Sequence, residues 1–336
     1  MLNLFKGAKK ERVSVGLDIG SFAIKAVKLR FSGDNVELAD FAYETSEIDP
    51  VQTLKRIRDH LGVDTVNISV SGSSTVIRYV SFPKMNEAEL AQALKFEAQK
   101  HIPFAVSDVN LDGFILKDNL PDNKMLVLIA AVKKEVISQR LKYILDSGFK
   151  TSVADIDALA LVNSFNFNYP QGETPNHKAS ALLNIGASIS NLTILENGQP
   201  CLSRDMHFGG NNFTQKIADI LAIDFKAAEA LKNKPDSSNT NKIAAGVDLV
   251  LTNLATEIRT SFDFHESQSA SSVDKIYLSG GGGQFSGLKD MLANILGMEI
   301  ESWDPLKKID VSPQLDLQKL KEVVGQLAVA LGLGLR

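Results

Sequence analysis

Two short segments of the chain carry the residues best suited to hold an anion. The first is Val15-Gly16-Leu17-Asp18-Ile19-Gly20-Ser21, which runs through Phe22-Ala23-Ile24-Lys25 into Ala26-Val27-Lys28-Leu29. The second is Ala181-Leu182-Leu183-Asn184-Ile185-Gly186-Ala187-Ser188, which runs into Asn191-Leu192-Thr193-Ile194-Leu195. Each reads as an apolar strand, then Asp or Asn, Ile, Gly and a small residue, then a second strand. A tight turn of that composition exposes backbone N–H groups and permits close approach of an anion. Two such turns from separate halves of a chain can grip one polyphosphate from both sides. In the first, Asp18 can hold Mg2+ through water, Ser21 and the amides around Gly20 can face phosphate oxygens, and Lys25 can supply a positive charge. In the second, Asn184 stands where the first has Asp18, keeping an oxygen acceptor but losing the charge.

A third candidate is Gly280-Gly281-Gly282-Gly283, after a strand over Lys275–Leu278 and before a helix over Ser286–Leu296. Four glycines remove every side chain from one patch, so a flat ligand such as adenine or ribose can lie on backbone. The spacing fails G-x-G-x-x-G in any register, and no G-x-x-x-x-G-K-[ST] occurs, which excludes a dinucleotide fingerprint and a P-loop. The five histidines are scattered, form no i, i+4 metal pair, and are expected at surfaces or helix ends. Cys201, without a visible histidine partner, is expected to be a buried inert thiol.

The elements that must position these residues repeat. Strands over Val13–Leu17, Ala23–Phe31 and Val36–Tyr43 open the first half, followed by a helix over Pro50–Leu61 and strands over Val66–Val70 and Thr75–Phe82. A capping-box start at Asn86-Glu87-Ala88-Glu89 begins a helix that Pro103 stops. Strands over Asn110–Leu116 and Met125–Val132 and a helix over Lys134–Ser147 complete what reads as a small α/β subdomain inserted at about 83–150. A strand over Phe149–Ile156 leads into a helix from Asp157. The polar stretch Tyr169–Lys178 marks a lobe boundary. The second half again opens with strand, turn, strand and hairpin, then helices from Asn211, over Phe225–Lys232 and over Val247–Glu266. An apolar helix over Leu317–Leu333 closes the chain. Three successive strands and then helices, twice, describe a duplicated α/β unit and not a Rossmann sheet, in which each strand leads into a helix. The expected organisation is a basic tail at 1–12, a first lobe at 13–168, a second lobe at 169–316 and a closing interlobe helix at 317–336.

Length and composition agree with two lobes. At 336 residues, 44% hydrophobic and 23% charged, the chain suits a globular protein with more than one core. A net charge of −4 argues against a general nucleic-acid binder. One cysteine excludes a disulfide framework and a multi-cysteine metal site, as suits a cytoplasmic protein. No apolar run approaches the roughly 20 residues of a membrane span, and no signal peptide is visible.

Taken together, these segments resemble the actin, Hsp70 and sugar-kinase superfamily. Val15–Leu29 resembles its first phosphate motif, Leu182–Leu195 its second, and Ile276–Leu288 its adenosine motif. Ala227-Ala228-Glu229-Ala230-Leu231-Lys232, after Phe208-Gly209-Gly210, resembles its Glu-x-x-Lys adenosine contact. Within the superfamily, the position of the insertion resembles the FtsA-like branch. The runs Phe82-Pro83-Lys84-Met85-Asn86-Glu87-Ala88-Glu89-Leu90 and His101-Ile102-Pro103-Phe104 look like the PilM family of type IV pilus assembly proteins.

The resemblance implies an actin-like (ribonuclease H-like) duplicated two-lobe α/β fold that binds ATP or ADP with Mg2+. It implies cofactor contacts from Asp18, Gly20, Ser21, Lys25, Asn184, Gly186, Ala187, Ser188, Gly210, Glu229, Lys232, Gly280, Gly281 and Gly282. Asp157 is the implied acid near the terminal phosphate; its alternative is a helix N-terminal charge favoured by the dipole. Because members of the resembled family usually carry Asp where this chain has Asn184, hydrolysis is expected to be slow or absent. The implied partner is the cytoplasmic N-terminal peptide of a PilN-like inner-membrane protein, captured in a groove with the inserted subdomain as one wall. That makes the chain a cytoplasmic scaffold held peripherally at the inner membrane, with self-association and other pilus components as further expected contacts. The alternatives are an FtsA-like filament-forming division adaptor and a small-molecule kinase on the same fold.

Overall fold

Strand β1 (Arg12–Ile19) is rich in β-branched and aliphatic residues, and its central residues Val15 to Asp18 are buried on both faces. It pairs antiparallel with β2 (Ala23–Ser32), which pairs antiparallel with β3 (Asn35–Thr45). Asp49 then accepts a hydrogen bond from the Val51 amide and starts α1 (Pro50–Leu61), which Gly62 ends in the left-handed region. Strand β4 (Thr65–Val70) lies parallel to β1, and β8 (Lys150–Ile156) parallel to β4. The computed structural model describes residues 12–46, 49–170, 179–234, 236, 238–269 and 271–336. All but the last residue of the expected basic tail, most of the boundary stretch Tyr169–Lys178, and His177 lie outside these.

The second half repeats the plan. Strands β9 (Ala179–Ile185), β10 (Ser190–Glu196) and β11 (Gln199–Met206) form an antiparallel meander, with β12 (Val273–Ser279) and β13 (Glu299–Ser302) added in parallel. The strand order β11-β10-β9-β12-β13 matches β3-β2-β1-β4-β8 of the first sheet, strand for strand. The registers agree too: Asp18 faces Lys25 across β1 and β2, and Asn184 faces Asn191 across β9 and β10. Between β11 and β12 run α5 (Gly210–Leu221), α6 (Phe225–Asn233) and α7 (Thr240–Gln268). Helix α7 begins earlier than the expected Val247, because the buried stripe Ile243, Val247, Leu251, Leu254 and Ile258 continues one turn upstream. Helix α8 (Leu288–Leu296) precedes β13, a strand too short to register in the sequence pattern.

The inserted subdomain is bounded differently from the expected 83–150. Its sheet, of order β5-β7-β6, takes in β5 (Thr75–Pro83), β6 (Val109–Leu120) and β7 (Lys124–Lys133). Helix α2 (Glu87–Glu97) covers it, held by the capping box of Asn86 and Glu89, and Leu90 and Leu94 join Met125, Val127 and Ile129 in a separate core. Helix α3 (Lys134–Asp146) belongs instead to the large lobe. Its Ile144, Leu141 and Tyr143 pack with Leu54, Ile57 and Phe149, as α8 packs in the other half. The edge of the small sheet meets the second lobe, where the Tyr79 hydroxyl lies 2.9 Å from Ser203 Oγ.

Two further differences concern the end of the chain. The expected second lobe, to residue 316, ends sooner, because β14 (Asp310–Val311) pairs with β3 and Leu306 and Ile309 enter the first lobe's core. The expected single helix over Leu317–Leu333 is two, α9 (Leu317–Val323) and α10 (Ala328–Gly334), with a tighter turn at Val324-Gly325-Gln326 between them. The break frees the Gly325 carbonyl to accept from the Gly280 amide at 2.9 Å. Helix α10 is buried throughout and packs against α4 (Asp157–Asn168) and β1. The approach is close: a Cβ on Gly332 would lie 1.7 Å from the Ala160 carbonyl oxygen, and one on Gly16 1.9 Å from that of Ala330. No helix among the described residues is long and apolar enough to cross a membrane.

Candidate functional site

The turns that end β1 and β9 have the same construction. The Gly20 amide donates to the Ala23 carbonyl at 3.1 Å, and the Gly186 amide to the Ile189 carbonyl at 3.0 Å. They approach each other across the lobes, with Ser21 Oγ 3.1 Å from Ser188 Oγ. Around them opens a cleft of about 580 Å³, lined by both lobes. That volume lies in the range of small-ligand sites. Asp18, Gly20, Ser21, Lys25, Asp157, Asn184, Gly186, Ala187, Ser188, Gly210, Glu229, Lys232, Gly280, Gly281 and Gly282 all line it. The fold thus brings these fifteen candidates together from six separate stretches of chain.

The first turn carries an ion pair. Lys25 Nζ donates to Asp18 Oδ2 at 2.7 Å, both side chains being largely buried. At the corresponding place in the second half the pair is replaced by amides. Asn184 Nδ2 donates to Asn191 Oδ1 at 3.1 Å, and Asn191 Nδ2 donates to Asp205 Oδ1 at 2.7 Å. Ser279 Oγ donates to Asn184 Oδ1 at 3.3 Å, and Asp205 Oδ2 accepts from the Gly72 amide at 2.6 Å. A relay therefore runs from the end of β12 through Asn184, Asn191 and Asp205 to the loop after β4 in the opposite lobe. Burial pushes the Asp205 carboxyl above its ordinary range, against the Gly72 and Asn191 hydrogen bonds.

Asp157 opens α4 on the cleft wall. Burial, then the neighbouring Asp18 carboxylate, push its carboxyl up to about 6. Two carboxylates that repel each other beside a phosphate-sized turn, only one of them ion-paired, form a donor set that fits a hydrated divalent cation.

Helix α6 supplies a second charged knot. Lys232, 4% exposed, donates to Glu229 Oε2 at 2.6 Å and to Thr214 Oγ1 at 2.9 Å, and Thr214 donates to the same Glu229 oxygen. Burial alone would raise the Glu229 carboxyl, but these donors outweigh it and hold it below its ordinary range. The spacing Glu229 to Lys232 puts both on one helix face, directed at Gly210, the first residue of α5.

The glycine run has a reason different from a bare ligand surface. A Cβ on Gly282 would meet Ile185 Cγ2 at 2.5 Å, the Gly186 oxygen at 2.9 Å and the Gly210 nitrogen at 3.1 Å. At Gly280, φ is +88° and a Cβ would lie 2.3 Å from the Ile185 oxygen. These glycines let the loop seat against the second turn and the start of α5, so three backbone segments share one corner of the cleft.

Several cleft residues escaped the sequence reading. Val136, Gln139, Arg140 and Tyr143 line it from α3 at i, i+3, i+4 and i+7, a stripe beside that of Ile137, Leu141 and Ile144. Arg140 Nη1 donates to the Ile19 carbonyl at 2.8 Å, inside the first turn. Tyr43 donates to Gln326 Oε1 at 3.0 Å, and burial, then the Glu229 and Asp18 carboxylates, raise its phenol. The equal spacing of Asp18 to Lys25 and Asn184 to Asn191 was a signal available for Asn191.

His265 lies in the last turn of α7, one of the expected helix-end placements, but its ring is buried, and the expectation that Cys201 has no histidine partner is corrected. His265 is 3% exposed; its Nδ1 lies 3.7 Å from Cys201 Sγ and its Nε2 3.5 Å from Glu196 Oε1. Cysteine and carboxylate meet opposite ring nitrogens, and Glu196 also accepts from Ser269 and Ser271, so the cluster is satisfied by protein donors. Burial, then Glu196, push the thiol up to about 12, so the expected inertness stands.

A family model described as type IV pilus assembly protein PilM matches residues 16–336 of the chain. Among solved structures, that of a PilM–PilN type IV pilus biogenesis complex is similar with a TM-score of 0.85 and 27% identity, covering 96% of this chain and 98% of that one. The ethanolamine utilization protein EutJ from Carboxydothermus hydrogenoformans is similar in fold, with a TM-score of 0.57 and 12% identity over 98% of this chain and 91% of that one. The duplicated two-lobe architecture is the actin-like fold that the sequence resemblance implied.

Proposed function

The chain belongs to the family of the type IV pilus assembly protein PilM, and from that premise we propose that it is a nucleotide-binding scaffold of the pilus inner-membrane assembly complex. It docks the cytoplasmic N-terminal peptide of a PilN-like membrane protein and is held at the inner membrane through that partner. The observation that carries this reading is the likeness, over nearly the whole of both chains, to a protein solved in complex with PilN. The small subdomain, with its own core and its edge against the second lobe, supports the idea of a groove wall for an extended peptide. The kinase and filament readings have no comparable observation behind them.

In this proposal the cleft takes ATP or ADP. The amides and hydroxyls around Gly20, Ser21, Gly186, Ala187 and Ser188 hold phosphates, and Lys25 balances charge beside them. Gly210, Glu229, Lys232 and Gly280–Gly282 receive the adenosine. Asp18 and Asp157 would hold a hydrated Mg2+, which supplies charge neutralisation to the phosphates. Asn184 offers no charge to activate water, and its amide is already spent on Asn191, so turnover is slow or absent. Titration calorimetry with ATP and ADP in Mg2+, and with N-terminal peptides of PilN-like proteins, tests both halves. Binding of nucleotide and of one such peptide is expected. Absence of peptide binding would remove the scaffold reading, and absence of nucleotide binding the role given to the cleft.

A further inference from the structure

The cleft lining contains six charged side chains: Asp18, Lys25, Arg140, Asp157, Glu229 and Lys232. Two of the three cations are already neutralised. Lys25 is tied to Asp18, and Lys232 to Glu229 at 2.6 Å. Arg140 is different. Among the described residues it pairs with no carboxylate, and its one hydrogen bond goes through Nη1 to the Ile19 carbonyl. A guanidinium has five N–H donors in a planar fork, so most of them remain uncommitted at the lip of the first turn. Its helix neighbours on the cleft face, Val136, Gln139 and Tyr143, carry no charge, so the positive potential there comes from Arg140 itself.

The backbone placement is specific. Ile19 is the second residue of the turn Asp18-Ile19-Gly20-Ser21, so a group held by Arg140 sits at the first-lobe turn of the cleft. An anion there meets a fork matched to two phosphate oxygens. We propose that Arg140 recognises the distal phosphate of the bound nucleotide and is the residue by which this chain distinguishes a nucleoside triphosphate from a diphosphate. The inference rests on the nucleotide-binding reading above. It adds a recognition residue that lies on α3, the helix that follows β7 of the small subdomain with no residue between them.

The test is calorimetric titration of the full chain with ATP, ADP and adenosine in Mg2+, for the wild type, Arg140→Gln and Arg140→Lys. Gln removes the charge and, two bonds shorter, also the hydrogen bond to the Ile19 carbonyl, so the comparison of ATP with ADP, which both meet the turn, separates recognition of the distal phosphate from support of the turn. In Arg140→Gln, ATP affinity is expected to fall roughly tenfold or more. ADP affinity should change much less, adenosine affinity should not change, and Lys should restore part of the loss. Two outcomes would overturn the inference with nucleotide binding intact: ATP bound by Arg140→Gln as tightly as by the wild type, or parallel losses for ATP and adenosine. A wild-type chain that binds neither ATP nor ADP would instead overturn the reading beneath it, and the inference with it.

Discussion

Asp157 carries the least comfortable charge in the cleft. Its carboxyl ordinarily titrates near 3.8 and is held up to about 6 in the fold, chiefly by burial and by Asp18. The folded chain therefore binds more protons than the unfolded chain between those values, so stability falls as pH rises through about 6. Asp205, also raised, acts in the same direction. The substitution Asp157→Asn removes the buried charge. It is expected to raise stability at pH 7.5 by roughly 1–3 kcal/mol, with the gain vanishing near pH 4; melting curves across that range check it. At Asn184 the sign is opposite. A carboxylate there cannot donate to Asn191 Oδ1 and adds charge to a relay that already ends on Asp205. Asn184→Asp alone is expected to cost about 1–3 kcal/mol without producing ATP turnover. The double change Asn184→Asp with Asn191→Lys, which copies the Asp18–Lys25 register, should recover most of that loss. Denaturant titration and phosphate release measure the two effects.

The junction of α4, α10 and β1 is where the elements have least freedom. A Cβ on Gly332 would run into the backbone of α4, which no rotamer change relieves. Gly332→Ala is thus expected to destabilise the chain by about 3 kcal/mol or more, seen as a lower urea midpoint. Elements built on a strong local pattern were legible beforehand. The helix Pro50–Leu61 was legible from Val51, Leu54 and Ile57 on one face, and the capping box at Asn86 from its own residues. The cleft was legible through its two turns and the glycine run, because their chemistry lies in short contiguous stretches. Arg140 was not, since a helix with a good buried face gives no sign of what its other face will meet. Neither was β14, two residues whose pairing with β3 is a matter of tertiary return. The break at Gly325 left no interruption in the apolar spacing, and the carbonyl it frees is met by the Gly280 amide from a distant loop.

At the scale of the molecule, the polar contacts between the lobes include Ser21 with Ser188, Tyr79 with Ser203, Gly72 with Asp205 and, through the closing segment, Gly280 with Gly325 and Gln284 with Gln326. Of these, the Gly72–Asp205 bond involves a buried carboxylate and is the strongest candidate for a latch. Asp205→Ala is expected to loosen the lobes, giving a larger radius of gyration in solution scattering that added nucleotide reverses; an unchanged radius would show the latch to be idle. The same bond ends the relay that begins at Ser279 and Asn184, and this limits how the second turn can change. Asn184, Asn191 and Asp205 satisfy one another, so no one of them can regain a charged partner without stranding the next. Any stepwise route from this arrangement to an acidic second turn meets a ratchet. It passes through a less stable intermediate unless two positions change at once.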